Sequence, residues 1–152
     1  MQSSTFTSFM TDALTLAKHA QKLGEVPVGA VVVKEGEIIG KGHNQPRSNY
    51  DPSAHAEIVA IRDACQTLKS DRLESCDLWV TLEPCTMCAG AIAHARIGRL
   101  YYGAADPKGG AVDSGIRFFD QETCHHTPEI YSEIQETEAS ALLKEFFQSR
   151  RS

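Results

Sequence analysis

Thr81-Leu82-Glu83-Pro84-Cys85-Thr86-Met87-Cys88 is the stretch that most restricts what this chain can fold into. Cys85 and Cys88 stand three apart, so at the start of a helix both sulfurs face the same side. His55-Ala56-Glu57, upstream, supplies what that stretch lacks, and the fold has to bring the two together. Two thiolates and one imidazole are three ligands, the number a catalytic zinc keeps when its fourth position holds water. Glu57, two residues past the histidine, is then a carboxylate near that water without being a ligand. The combination predicts a hydrolytic zinc site.

Other readings of these residues exist. A lone Cys-x-x-C also marks a redox pair, half a structural zinc knuckle, or core filling. Cys-Thr-Met-Cys lacks a thioredoxin-like context, and a redox pair has no use for the histidine and glutamate. A structural zinc would want a fourth protein ligand, for which Cys76 and His94 are the candidates. Five cysteines, an odd number, have no spacing that suggests a disulfide framework. Reduced thiols and a metal site fit the cytoplasm.

The chain of 152 residues is expected to form one domain over 1–152. Its 41% hydrophobic and 23% charged residues are those of a soluble globular protein. A net charge of −5 argues against a surface that grips nucleic acid everywhere, yet allows one local basic patch. Met1 to Met10 shows no signal-peptide pattern, and no stretch approaches the roughly 20 apolar residues of a membrane span.

Phe6, Phe9, Met10, Ala13, Leu14, Ala17 and Ala20 recur at helical spacing, with Gly24 as the stop. Val26 to Val33 reads as a strand buried on both faces, with Pro27 at its beginning, and Ile38-Ile39 opens a second strand that pairs back as a hairpin. Residues 43–52 are loop. A helix follows from Ser53 or Ala54, with Ile58, Ile61, Cys65 and Leu68 on its buried side. Further strands are expected over 78–82, 100–104 and 129–134. Helices follow Pro84, carrying Ala89, Ile92, Ala93 and Ile97, and span 138–150, while Asp106 to Gly115 is a Gly-rich loop. Strands separated by helices imply βαβ units, so the expected architecture is a three-layer α/β/α sandwich. Its mixed five-stranded sheet is largely parallel, with an antiparallel N-terminal hairpin.

In such sheets functional loops gather beyond the carboxyl ends of strands, where helices begin. Both motifs fall there, and the positive helix ends favour thiolate over thiol. On an ideal helix, residues two apart point nearly opposite ways. His55 and Glu57 can therefore share a site only if the metal lies over the helix end. Zinc lowers the pKa of its water toward ~7, and Glu57 is placed to shuttle the proton to substrate and leaving group. Cys65 and Cys76 read as small core residues, His19 as helix surface, and Cys124-His125-His126 as a loop with solvated histidines. Phe118-Phe119 and Phe146-Phe147 read as core or interface rather than base-stacking platforms.

His-Ala-Glu with Pro-Cys-x-x-Cys is the zinc deaminase signature. Four longer blocks resemble the bacterial tRNA-specific adenosine deaminases: Val26 to Ala30, Gly42-His43-Asn44, Asp51 to Ile58 and Val80 to Ala91. Arg96-Ile97, Tyr102-Gly103-Ala104 and Asp106 to Gly110 continue the likeness over nearly the whole chain. The resemblance implies a cytidine deaminase-like fold and hydrolytic deamination of the wobble adenosine to inosine in an arginine tRNA anticodon, by zinc-bound hydroxide. It also implies one zinc per subunit on His55, Cys85 and Cys88, Glu57 as proton shuttle, and a homodimer. By the same resemblance, Asn44, Val28 and the Ala56 backbone meet the purine, Asp106 and Lys108 hold flanking nucleotides, and Phe147 and Arg150 lie along the RNA anticodon stem-loop.

An unpaired anticodon base can be splayed out cheaply to reach a buried zinc. Phosphate contacts would fall to Arg47, Lys108, Arg117, Lys144, Arg150 and Arg151. Asp113 to Phe119 and Cys124-His125-His126 depart from the commonest family wording. Two rival functions remain. One is deamination of a free nucleobase or nucleoside, guanine or cytosine. The other is a non-catalytic zinc module that binds RNA or protein.

Overall fold

The computed structural model describes residues 8–151. In chain order the elements are α1 (Met10–Lys22), β1 (Gly29–Lys34), β2 (Glu37–His43), α2 (Ala56–Leu68), β3 (Cys76–Leu82), α3 (Thr86–Ala95), β4 (Arg99–Ala104), a 3-10 turn (Phe118–Asp120), β5 (Glu129–Tyr131) and α4 (Glu136–Arg151). The strands form one sheet in the order β2-β1-β3-β4-β5. β1 runs antiparallel to both β2 and β3, and β3, β4 and β5 are parallel. The reversed strand of the hairpin thus lies inside the sheet, and the connection through α2 carries the chain across it.

Two cores hold the layers together. Ala30 and Val32 of β1 face a cluster with Ala60, Leu78, Ile92 and Leu100. Val31 and Val33 face the other side, with Met10, Leu14, Trp79 and Ala139. Burial on both faces explains the near-continuous apolar run of β1, each such side chain contributing roughly 1.5–3 kcal/mol. α1 buries the expected Met10, Ala13, Leu14, Ala17 and Ala20, while Phe6 lies outside the described residues.

The face of α2 differs from the periodicity. Its alanines, Ala56, Ala60 and Ala64, meet the sheet; Glu57 and Ile61 are buried beside them, whereas Ile58, Cys65 and Leu68 are only half-buried. Glycines on β2 decide this. A Cβ at Gly40 would stand 2.5 Å from the Ala60 carbonyl oxygen, and one at Gly42 2.4 Å from that of Ala56. The helix backbone sits directly on the strand, and only alanine-sized side chains fit between. This seating fixes the start of α2 beside the end of β2.

Several boundaries also shift. β1 begins at Gly29, because Val26-Pro27-Val28 forms a tight turn closed by the Val28 N–H on the Val26 carbonyl at 2.8 Å. α3 ends at Ala95 with Arg96 left-handed, so Ile97 is buried beyond the helix rather than on it. β5 stops at Tyr131 instead of 134, and α4 starts at Glu136. Among the described residues no helix is long and apolar enough to cross a membrane.

Candidate metal centre

His55 and Cys85 occupy equivalent places: each is the N-cap residue of its helix, with extended backbone at φ −74°, ψ 154° and φ −77°, ψ 178°. The extended cap takes the His55 side chain out of the helical sequence of directions, while Glu57 stays in the first turn of α2. The two therefore meet over the helix end despite their spacing. His55 Nδ1 lies 3.6 Å from Cys85 Sγ and 3.6 Å from Cys88 Sγ. A tetrahedral zinc with Zn–N of about 2.0 Å and Zn–S of about 2.3 Å would set nitrogen and sulfur about 3.5 Å apart. The donor set fits that ion.

Among the described residues the group contains only these three possible ligands, all within 4.8 Å of one another. Cys76 sits at the opposite end of β3, paired with Lys34. His94 is in the last turn of α3, its ring 5.3 Å from that of His125. Neither joins the group.

The site is electrostatically prepared. Hydrogen bonding from Cys88, and then from His55, pulls the Cys85 thiol down to about 4 against burial. Cys88, beside that thiolate and buried, is pushed up, and His55 is raised chiefly by its bond to Cys85. Burial pushes the Glu57 carboxyl up to about 7, with the Cys85 thiolate adding to the effect. A carboxyl in that range both accepts and returns a proton near neutral pH.

Asn44 follows β2 and is held twice. Its N–H donates to the Val28 carbonyl at 3.0 Å, and its Oδ1 accepts the Ala56 N–H at 2.9 Å. Asn44, Ala56 and the buried Val28 thereby form one wall next to the metal group. Asp106 and Lys108 border a cavity of about 850 Å³ with Lys144 and Phe147. Phe147, 47% exposed, also borders a second cavity of about 350 Å³ with Asn44, Arg47 and Arg150. The Arg150 guanidinium donates to the Gly24 carbonyl at 2.8 Å and lies over the Phe146 ring at 4.7 Å.

Other residues singled out by the sequence lie elsewhere. Arg117 lines neither cavity and pairs with Asp120 at 2.9 Å. The side chain of Arg151 lies outside the described residues. Each Phe pair divides: Phe119 and Phe146 are buried, while Phe147 is exposed. His126 is anchored rather than solvated, its Nε2 2.6 Å from the Ile97 carbonyl oxygen; His125 is exposed. Cys65 is half-buried on α2, whereas Cys76 is core as expected.

Sequence reasoning missed Glu83. Its side chain is 2% exposed, and its carboxylate accepts N–H bonds from Asp106, Val112, Asp113 and Ser114 at 2.9–3.0 Å and the Ser114 hydroxyl at 3.0 Å. Burial alone would raise its pKa, but these donors hold it below the ordinary carboxylate value. One carboxylate thus folds the Asp106–Ser114 loop onto the turn carrying Cys85. The available signal was an acid at the end of an apolar strand, directly before Pro84-Cys85.

The family model described as the cytidine and deoxycytidylate deaminase zinc-binding region matches residues 3–104. The chain is 55% identical to the tRNA-specific adenosine deaminase of Agrobacterium fabrum, over 95% of each chain. It is 50% identical to that of Haemophilus influenzae, over 93% of this chain and 83% of the other. A structure from biochemical and structural studies of A-to-I editing by tRNA:A34 deaminases at the wobble position of transfer RNA superposes with a TM-score of 0.88. It shares 56% identity and covers 89% of this chain and 98% of its own. The guanine deaminase of Bacillus subtilis is more distant, at 35% identity and a TM-score of 0.63, covering 94% and 91%.

Proposed function

The chain belongs to the cytidine and deoxycytidylate deaminase zinc-binding family, among its tRNA-specific adenosine deaminases, and from that premise we propose that it converts the wobble adenosine of a tRNA anticodon, that of an arginine tRNA, to inosine. The observation that carries this is the three-ligand group beside Glu57, together with two cavities lined by Arg47, Lys108, Lys144, Arg150 and the exposed Phe147, one of them bordered by Asn44, which caps the residue between His55 and Glu57. Residues 1–152 act as one zinc-dependent deaminase domain.

His55, Cys85 and Cys88 would hold one zinc per subunit. When bound, zinc supplies Lewis-acid activation of a water, lowering its pKa toward ~7. Glu57 accepts the water's proton at its carboxylate and delivers it to the ring nitrogen beside the carbon that bears the amine. It then carries the remaining proton, that of the added hydroxyl, to the departing amine, which leaves as ammonia while the ring keeps the oxygen as a carbonyl. Asn44, Val28 and the Ala56 backbone orient the purine. Asp106, Lys108, Phe147 and Arg150 hold the nucleotides around it.

We also propose a homodimer in the cytoplasm. Support comes from a surface groove of about 940 Å³ between α2 and α3, where half-buried Ile58 and Cys65 of α2 and Ala91 of α3 lie among polar residues such as Arg62, Gln66 and Lys69. Apolar side chains rimmed by polar ones suit a second copy.

Zinc-loaded protein offered an arginine tRNA anticodon stem-loop with wobble adenosine, beside free adenosine, adenine, guanine and cytosine, should make inosine from the stem-loop alone. Turnover of a free base with RNA untouched would move the protein to nucleobase salvage. A free base has no phosphates for Arg47, Lys108, Lys144 and Arg150, which is why the RNA reading is preferred. A non-catalytic zinc module would need a fourth protein ligand, and none joins the group among the described residues.

A further inference from the structure

Tyr50 is 95% exposed, the most exposed of the large hydrophobic side chains described, and its φ is +52°. A bulky residue in the left-handed region is disfavoured, and such strain persists only where the surroundings impose it. Here they do. The Glu25 carboxylate accepts the Ser48 N–H and hydroxyl at 2.7 Å each, and the Arg47 N–H at 3.4 Å. The Asp51 N–H donates to the Pro46 carbonyl at 2.9 Å, and the Asp51 carboxylate accepts the Ser53 N–H and hydroxyl at 2.9 and 2.7 Å. The loop is pinned on both sides of an aromatic ring that is left in solvent.

The ring borders a cleft of about 580 Å³ shared with Leu23, Gly24, Arg47, Ser48 and Arg150. Gly24, Arg47 and Arg150 also line the adjoining cavity that reaches Asn44, and Asn44 caps Ala56 beside the metal group. The two clefts adjoin through Gly24, Arg47 and Arg150, so two guanidinium groups stand between the Tyr50 ring and Asn44. Alternating cations and exposed aromatic faces are the physical requirements for holding single-stranded nucleic acid.

Resting on the RNA reading above, we infer that Tyr50 is a stacking platform for an unpaired anticodon-loop base neighbouring the target adenosine, with Arg47 and Arg150 on the adjacent phosphates. The platform is neutral and sequence-tolerant, so it positions the loop without reading the base.

The test uses the zinc-loaded full chain and stem-loop RNAs carrying 2-aminopurine at each loop position in turn. Wild type and Tyr50→Phe should quench one neighbouring position strongly, and Tyr50→Ala should lose that quench. In Tyr50→Ala the loss should sit in KM, raised about tenfold, and not in kcat. The salt slope of binding should stay at the wild-type value in Tyr50→Ala, whereas Arg47→Ala should lower it by about one. Wild-type KM and quenching in Tyr50→Ala would overturn the inference. So would a change in the sedimentation of the free protein, which would assign Tyr50 to a subunit contact. Absence of inosine formation by wild type would be a different failure, that of the RNA reading itself, and Tyr50 would fall with it.

Discussion

His55 and Glu57 stand two residues apart, a spacing that on a regular helix sends side chains nearly opposite ways. The extended backbone at His55 removes the conflict. It leaves His55 at the cap, against the two cysteines, and Glu57 in the first turn, with burial raising its carboxyl to about 7. Glu57→Gln keeps the shape and removes the proton carrier. It should bind zinc one to one and melt near the wild-type temperature, while inosine formation falls by about 10²–10⁴-fold or more. Metal analysis with single-turnover assays checks both halves, and substantial residual turnover would end the shuttle role. The grouping of Cys85 and Cys88 was readable from their spacing, because residues three apart at a helix start share one side. Glu83 was not, because its partners are N–H groups of a loop 23 to 31 residues further on.

Two loops depend on single carboxylates. Glu83 organises Asp106–Ser114, which carries Asp106 and Lys108. Glu83→Gln should lower stability by about 2 kcal/mol in urea denaturation and raise the KM for stem-loop RNA, with zinc still bound. Unchanged stability would mean the neutral amide serves as well. Glu25 organises the 46–50 loop, and its carboxyl lies below the ordinary 4.5. Burial pushes it up, but the Ser48 hydroxyl and N–H and the Arg47 N–H pull it further down. The folded state thus binds this proton more weakly than the unfolded chain. The stabilisation is present above the unfolded value and is lost as pH falls through the folded one. The melting temperature of Glu25→Gln should therefore vary less than that of wild type between roughly pH 6 and pH 3.5. Parallel curves for the two proteins would contradict this.

At the scale of the whole molecule, a net charge of −5 coexists with Arg47, Lys108, Lys144 and Arg150 around connected cavities. Local charge, not net charge, governs phosphate binding. Lys108→Ala should reduce the slope of log affinity against log salt by about one, and an unchanged slope would remove Lys108 from the contact set. The dimer proposed through the α2 face makes a separate prediction: wild type should sediment as a dimer and Ile58→Asp as a monomer with the metal group intact, and a species unchanged by the substitution would remove this face from the contact. The strands, the helices and the His55, Cys85 and Cys88 group of this protein were determined by its sequence, because hydrophobic periodicity and ligand spacing are local properties of a chain. Tertiary structure alone decided which side of α2 meets the sheet, how Glu83 and Glu25 hold their loops, and where Tyr50 stands. Those outcomes depend on how closely a glycine lets two backbones approach, and on which distant N–H groups converge on a buried charge.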